Sequence, residues 1–118
     1  MPLTIYHNPR CSKSRQTLAL INEYGVTPDI VLYLTDTLSE AHIRILLSQL
    51  GYTSAREMMR TGEAIYKELG LKDVTDETAL ISAMASYAKL IERPIVSNGS
   101  RAVMGRPPEN VLELLPSA

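Results

Sequence analysis

Cysteine is almost absent from this chain: its 118 residues carry one, Cys11. A single thiol excludes an internal disulfide, and with only two histidines, His7 and His42, it falls short of any recognisable zinc-ligand spacing. Tryptophan and phenylalanine are missing altogether, so the platforms on which single-stranded nucleic acid stacks shrink to six tyrosines. No excess of either charge draws in nucleic acid, since 12 cationic side chains stand against 13 acidic ones. No apolar run is long enough to cross a bilayer. The six glycines lie scattered, with no Gly-rich phosphate loop. What is there is 45% hydrophobic and 21% charged, the make-up of one ordinary globular domain, expected over residues 1–118. Met1-Pro2-Leu3-Thr4 leads straight into a strand pattern without a basic or signal-like segment, which with the lone thiol predicts a reducing, cytoplasmic setting.

Leu3 to His7 alternates and reads as a first strand, broken by Asn8-Pro9. Helical spacing begins at Ser12, placing Leu18, Ile21 and Tyr24 on one face, with Gly25 set to end the helix. The continuous apolar run Asp29–Leu34 predicts a strand buried on both faces, parallel to the first across a right-handed crossover. Ser39 can cap a helix with Ile43, Leu46, Leu47 and Leu50 on one face and Gly51 at its end. Ser54-Ala55-Arg56-Glu57 reads as a capping box, Glu63 to Leu69 as a short helix stopped by Gly70, and Thr75 or Asp76 as the start of another with Leu80, Ile81 and Met84 inward. Strand periodicity returns in Pro94–Ser97 and Arg101–Met104, joined through Asn98-Gly99, which predicts an antiparallel hairpin with a type I′ turn. Pro108 suits the first turn of a last helix presenting Val111, Leu112 and Leu115. The order βαβ, helices, ββα predicts an α/β, thioredoxin-like fold: a four-stranded mixed sheet with a helical insertion at about 38–90.

Cys11 falls where the first strand gives way to the first helix, facing the free amides of a helix start, with Arg10, Lys13 and Arg15 close in sequence. That setting favours thiolate over thiol, whereas an inert buried cysteine is the ordinary alternative. Cys11-Ser12-Lys13-Ser14 has no second cysteine, so a covalent or oxidised Cys11 has to be resolved by an external thiol such as glutathione. Arg60, Arg93 and Arg106 each sit at an element end, the last two directly before proline. Guanidinium forks bind tetrahedral oxyanions in bidentate fashion, so convergence of these three on a thiolate would suit an oxyanion substrate. Arg44, Arg56 and Arg101 read as solvated or carboxylate-paired. His7 either lowers the thiol pKa, by a hydrogen bond or a nearby positive charge, or is satisfied by the Asn8 turn. Ser14 either donates its hydroxyl to the thiolate or bonds back to the backbone.

His7-Asn8-Pro9-Arg10-Cys11, Ser14-Arg15 with Thr17-Leu18, Met59-Arg60, Tyr66-Lys67-Glu68-Leu69-Gly70-Leu71, Arg93-Pro94-Ile95-Val96 and Gly105-Arg106-Pro107 together resemble the glutaredoxin-linked arsenate reductase family, in order and in spacing. The resemblance implies a thioredoxin-like fold with a helical insertion, no bound cofactor, and reduction of arsenate to arsenite with glutathione as co-substrate and glutaredoxin as partner. It implies Cys11 as the nucleophile that bonds to arsenic, Arg60, Arg93 and Arg106 as oxyanion ligands, and His7 and Ser14 as the groups that keep the thiol ionised. Ser12-Lys13 stands where well-characterised members carry Gly-Thr. Two other functions share the scaffold: a glutathione-dependent monothiol oxidoreductase acting on protein mixed disulfides, and a non-enzymatic Spx-like transcription regulator, whose usual Cys-x-x-Cys switch is missing here.

Overall fold

A computed structural model of the chain describes residues 2–115. The chain divides into two compact units, one holding the chain up to Asp36 and again from Arg93, the other Thr37–Glu92.

The first unit carries four short strands, β1 (Thr4–Tyr6), β2 (Asp29–Val31), β3 (Ile95–Ser97) and β4 (Ala102–Met104), in the order β2-β1-β3-β4. β1 runs parallel to β2, with Ile5 opposite Ile30, and antiparallel to β3, with Ile5 opposite Val96; β3 and β4 are antiparallel. The sheet is therefore mixed, as the order of elements predicts. Helix α1 (Ser12–Glu23) crosses from β1 to β2. Leu3, Ile5, Ile21, Val96 and Val111 form the buried core, with Leu18, Val103 and Leu114 packed against it. Gly25 ends α1 at φ 78°, the left-handed conformation that the sequence reserves for it.

Four local expectations are corrected. The run 29–34 is not buried on both faces: β2 is an edge strand of three residues, Ile30 is half exposed, and after Val31 the chain turns, with the amides of Thr35 and Asp36 donating to Leu32 O. An apolar run reports hydrophobicity, not the number of neighbouring strands, so an edge and a centre look alike. On α1, Ile21 is buried and Leu18 packs against the core as expected, but Tyr24 lies in solvent, and the buried face also carries the polar Ser14 and Thr17. The hairpin closes over four residues, Ser97 pairing with Ala102, and of the Asn-Gly pair only Gly99 has positive φ. Asn98 Oδ1 instead accepts the amides of Ser100 and Arg101, which replaces the type I′ geometry. The last helix is a 3-10 turn over Pro108–Leu114. With three residues per turn it aligns Pro108, Val111 and Leu114 toward the core, and Leu112 faces water.

In the second unit, α2 (Glu40–Leu50) begins at Ser39, whose Oγ accepts from the His42 amide at 3.0 Å, and stops at Gly51, φ 75°. Helix α3 spans Ala64–Glu68, and α4 (Glu77–Ser86) is capped by Asp76. Ile43, Leu46, Leu80, Ile81 and Met84 are buried. Ser54 starts a 3-10 turn, Ala55–Met58, but Glu57 accepts from the Thr53 amide, one residue ahead of the position a capping box requires. An antiparallel bridge pairs Met59 with Ile91, flanked by Arg60 N–H to Leu90 O and Glu92 N–H to Met58 O.

Candidate active site

Cys11 is the N-cap residue of α1, with extended backbone, φ −94° and ψ 123°. Its amide donates to Asn8 O at 3.0 Å, closing the turn that Asn8-Pro9 opens after β1, and its carbonyl accepts from Arg15. The thiol makes no capping hydrogen bond within normal geometry, although the first helix amides lie close enough to act on its charge. Loss of its proton brings this into play, because the helix start then offers its N–H dipoles to an anion.

Burial, which leaves Cys11 only 8% exposed, raises the thiol pKa, and the surroundings more than reverse it. The Ser14 amide, the Arg93 charge, the Lys13 amide and an Arg93 N–H together hold the group below its ordinary 9.0. Arg93 is half-buried, and its Nε and Nη1 are shielded from solvent. Arg106 is more exposed; its Nη1 stands 3.9 Å from Cys11 Sγ and 3.5 Å from Arg93 O. The sulfur is thus approached by two guanidinium groups and by the helix start. The peptide bonds after both arginines, to Pro94 and Pro107, are cis.

His7 and Ser14 meet each other. His7 Nδ1 lies 2.6 Å from Ser14 Oγ, and that hydroxyl also accepts the Asn8 amide at 3.0 Å. Both side chains are buried, Ser14 completely. Of the roles open to His7, a positive charge is disfavoured: burial, then the Arg15 charge, lowers its pKa from 6.5. Ser14 stabilises the thiolate through its backbone N–H, while its hydroxyl ties the end of β1 to the first turn of α1.

Two consequences are measurable. Ser14→Ala strands the Asn8 N–H and His7 Nδ1 in the interior, and is expected to destabilise the protein by roughly 1–3 kcal/mol in urea unfolding. Because His7 is depressed in the fold and free to protonate at 6.5 once unfolded, acid favours the unfolded chain. Its contribution to stability is complete above 6.5 and falls as pH drops through 6.5 toward the lower folded value, by at most about 1.4 kcal/mol per pH unit. Urea midpoints at pH 7.5 and 5.5 should differ more in the wild type than in His7→Gln.

Arg60 belongs to the second unit, where its Nη1 meets Glu63 Oε1 at 2.6 Å and its Nε lies 3.8 Å from Glu92 Oε1. Of the arginines read as solvated, Arg101 pairs with Glu113 and Arg44 donates to Thr78, but Arg56 is a structural tie, donating to Tyr66 Oη, Leu71 O and Val74 O. Thr17 and Gly105, quoted above only for their place in motifs, are buried side by side next to the site, Thr17 Oγ1 being 3.2 Å from Gly105 O. Thr17 stands one turn beyond Ser14 on the same buried face of α1, a spacing that could have flagged it.

The ArsC family model matches residues 6–114. An arsenate reductase of Haemophilus influenzae is 47% identical over 116 residues, 98% of this chain and all of that one. An uncharacterized protein of Escherichia coli K12, YfgD, is 56% identical over 94% of both chains. The solved structure of an arsenate reductase from Vibrio cholerae superposes with a TM-score of 0.93 at 51% identity, covering 98% of each chain.

Proposed function

This chain belongs to the ArsC family, and on that premise we propose that it reduces arsenate to arsenite, with Cys11 as nucleophile and glutathione and glutaredoxin as electron donors. The observation that carries this reading is the surrounding of one thiol by two guanidinium groups and two helix amides, a place where an anion gains and a proton is lost.

The Cys11 thiolate attacks arsenic(V), forming the S–As bond as an arsenate oxygen leaves as water. Arg93 and Arg106 neutralise the oxyanion, which a thiolate otherwise repels, and offset charge on its oxygens as the bond forms. A glutathione thiolate then adds to arsenic with loss of a second oxygen as water. With no second cysteine in the chain, the next step must come from outside. The glutaredoxin thiolate attacks the glutathione sulfur, a glutathione–glutaredoxin disulfide forms, and the electron pair of the broken S–As bond reduces arsenic to the trivalent state. Water then displaces arsenite from Cys11. Two thiols are oxidised to one disulfide, which matches the two electrons arsenic accepts.

His7 and Ser14 are positioning residues in this scheme: their buried hydrogen bond holds the Ser14 amide at the sulfur. Arg60 is assigned to oxyanion binding by the family pattern alone; within its own unit it pairs with Glu63 and Glu92. A lone reduced cysteine suits the cytoplasm, and no helix among the described residues is long and apolar enough to cross a membrane.

The test is arsenate-dependent NADPH oxidation with glutathione, glutathione reductase and glutaredoxin. Turnover should need arsenate, glutathione and glutaredoxin together, and background rates in the complete mixture would end the proposal. Turnover of a glutathionylated peptide with no arsenate requirement would replace it with a monothiol oxidoreductase.

A further inference from the structure

We propose that Thr17 is a positioning residue: its buried hydroxyl clasps the Gly105 backbone to the helix that starts at Cys11, and so fixes both the Arg93 and the Arg106 loops against the sulfur. All the groups involved lie in the first unit. Thr17 has no exposed surface. Its Oγ1 stands 2.8 Å from Lys13 O and 3.2 Å from Gly105 O, and its single proton is shared between these two acceptors. The first bond is the ordinary backward bond of a helical threonine; the second leaves the helix and reaches a residue 88 positions away.

Gly105 is in turn held on its other side, its amide donating to Pro94 O at 2.9 Å. A methyl group there would stand 2.7 Å from Thr17 Oγ1 and 2.8 Å from Pro94 Cγ, closer than atoms can pack. Glycine is thus required where Thr17 of α1 and Pro94 close on this position. Each neighbour of this clasp is an arginine of the site: Arg93 precedes Pro94, and Arg106 follows Gly105. Arg106 also donates toward Arg93 O at 3.5 Å, which links the two loops directly.

Nothing in the clasp touches the sulfur, so its effect is transmitted through the arginines. Without the hydroxyl, Gly105 O is left in the interior with one partner fewer, and the loop relaxes toward water. The guanidinium groups then retreat from Cys11, and the thiol loses part of what favours its anion. The proposal rests on Cys11 as the reacting thiolate, but its test does not depend on arsenate.

The rate of Cys11 alkylation by iodoacetamide, followed across pH in the full chain, reads the thiolate population directly. Thr17→Val keeps the shape of the side chain and removes the hydroxyl. It is expected to move the midpoint upward by about 0.5–1 pH unit, or roughly 3–10-fold less thiolate at a fixed pH below the midpoint. Thr17→Ser restores the hydroxyl and should return the profile to within about twofold of the wild type. A wild-type midpoint in Thr17→Val, whatever its melting temperature, would overturn the proposal, as would a shift that serine fails to reverse. If Thr17→Val does not fold, Gly105→Ala forces the same contact from the other side and must shift the midpoint the same way, or the idea fails. Absence of arsenate protection in the wild type would instead count against the arsenate reading, leaving the midpoint comparison intact.

Discussion

Cys11→Ser is expected to bring arsenate-dependent NADPH oxidation to background, a loss of about 10⁴-fold or more, while the protein stays folded. The chemical reason is ionisation. The thiol is held below 9.0 by the Ser14 and Lys13 amides and by Arg93, whereas a serine hydroxyl in the same place stays protonated at any working pH. The structural reason makes this experiment clean. Residue 11 is an N-cap in extended conformation, where serine is among the preferred residues and its oxygen can accept the N2 or N3 amide that the neutral thiol leaves unused. The variant should therefore melt at or above the wild-type temperature. Lost turnover with an undiminished melting temperature assigns the defect to the nucleophile. Retained turnover would mean that the reaction does not pass through Cys11.

Arg93→Ala is expected to cost about 10²–10³-fold in kcat/KM for arsenate, more than Arg106→Ala. Arg93 acts on the sulfur twice, through its charge and through an N–H, whereas Arg106 Nη1 at 3.9 Å is at the outer limit of a contact to sulfur. Removing Arg93 therefore subtracts from two stages of the reaction. Fewer thiolates exist at neutral pH, and the oxyanion loses a buried bidentate partner. The two losses separate experimentally: working at high pH repopulates the thiolate and recovers the first, but not the second. Arg93→Lys should lie between, keeping the charge and losing the fork. Equal activity of Arg93→Ala and wild type across pH would remove Arg93 from the site.

How much of this was readable in the sequence depended on whether the signal was local. Ser39, Gly51 and Gly25 were legible because a cap or a left-handed residue carries its reason within one turn of chain. The junction at Cys11 was legible because Asn8-Pro9 must break the strand before Ser12 can begin the helix. The edge position of β2 was not, because the hydrophobicity of Ile30-Val31-Leu32 is the same with one neighbouring strand or two. The polar inner face of α1 was missed for a related reason. An apolar pattern puts Leu18, Ile21 and Tyr24 inward and passes over Ser14 and Thr17, which are buried where the His7 ring and the Gly105 carbonyl bond to them. The site divides the same way. Cys11 stood out as the only thiol, and Arg93 and Arg106 stood out before their prolines, but their meeting at the sulfur depends on β3 lying beside β1, a long-range pairing. The burial that lowers the His7 pKa is a tertiary effect that no spacing reports.

Everything proposed for this site depends on Cys11 being a thiolate that receives an oxyanion. The most direct measurement is the rate of Cys11 alkylation across pH, with and without millimolar arsenate. The midpoint is expected below 9.0, with marked slowing by arsenate that is lost in Arg93→Ala. A midpoint at or above 9.0, with rates indifferent to arsenate, would contradict that role for Cys11.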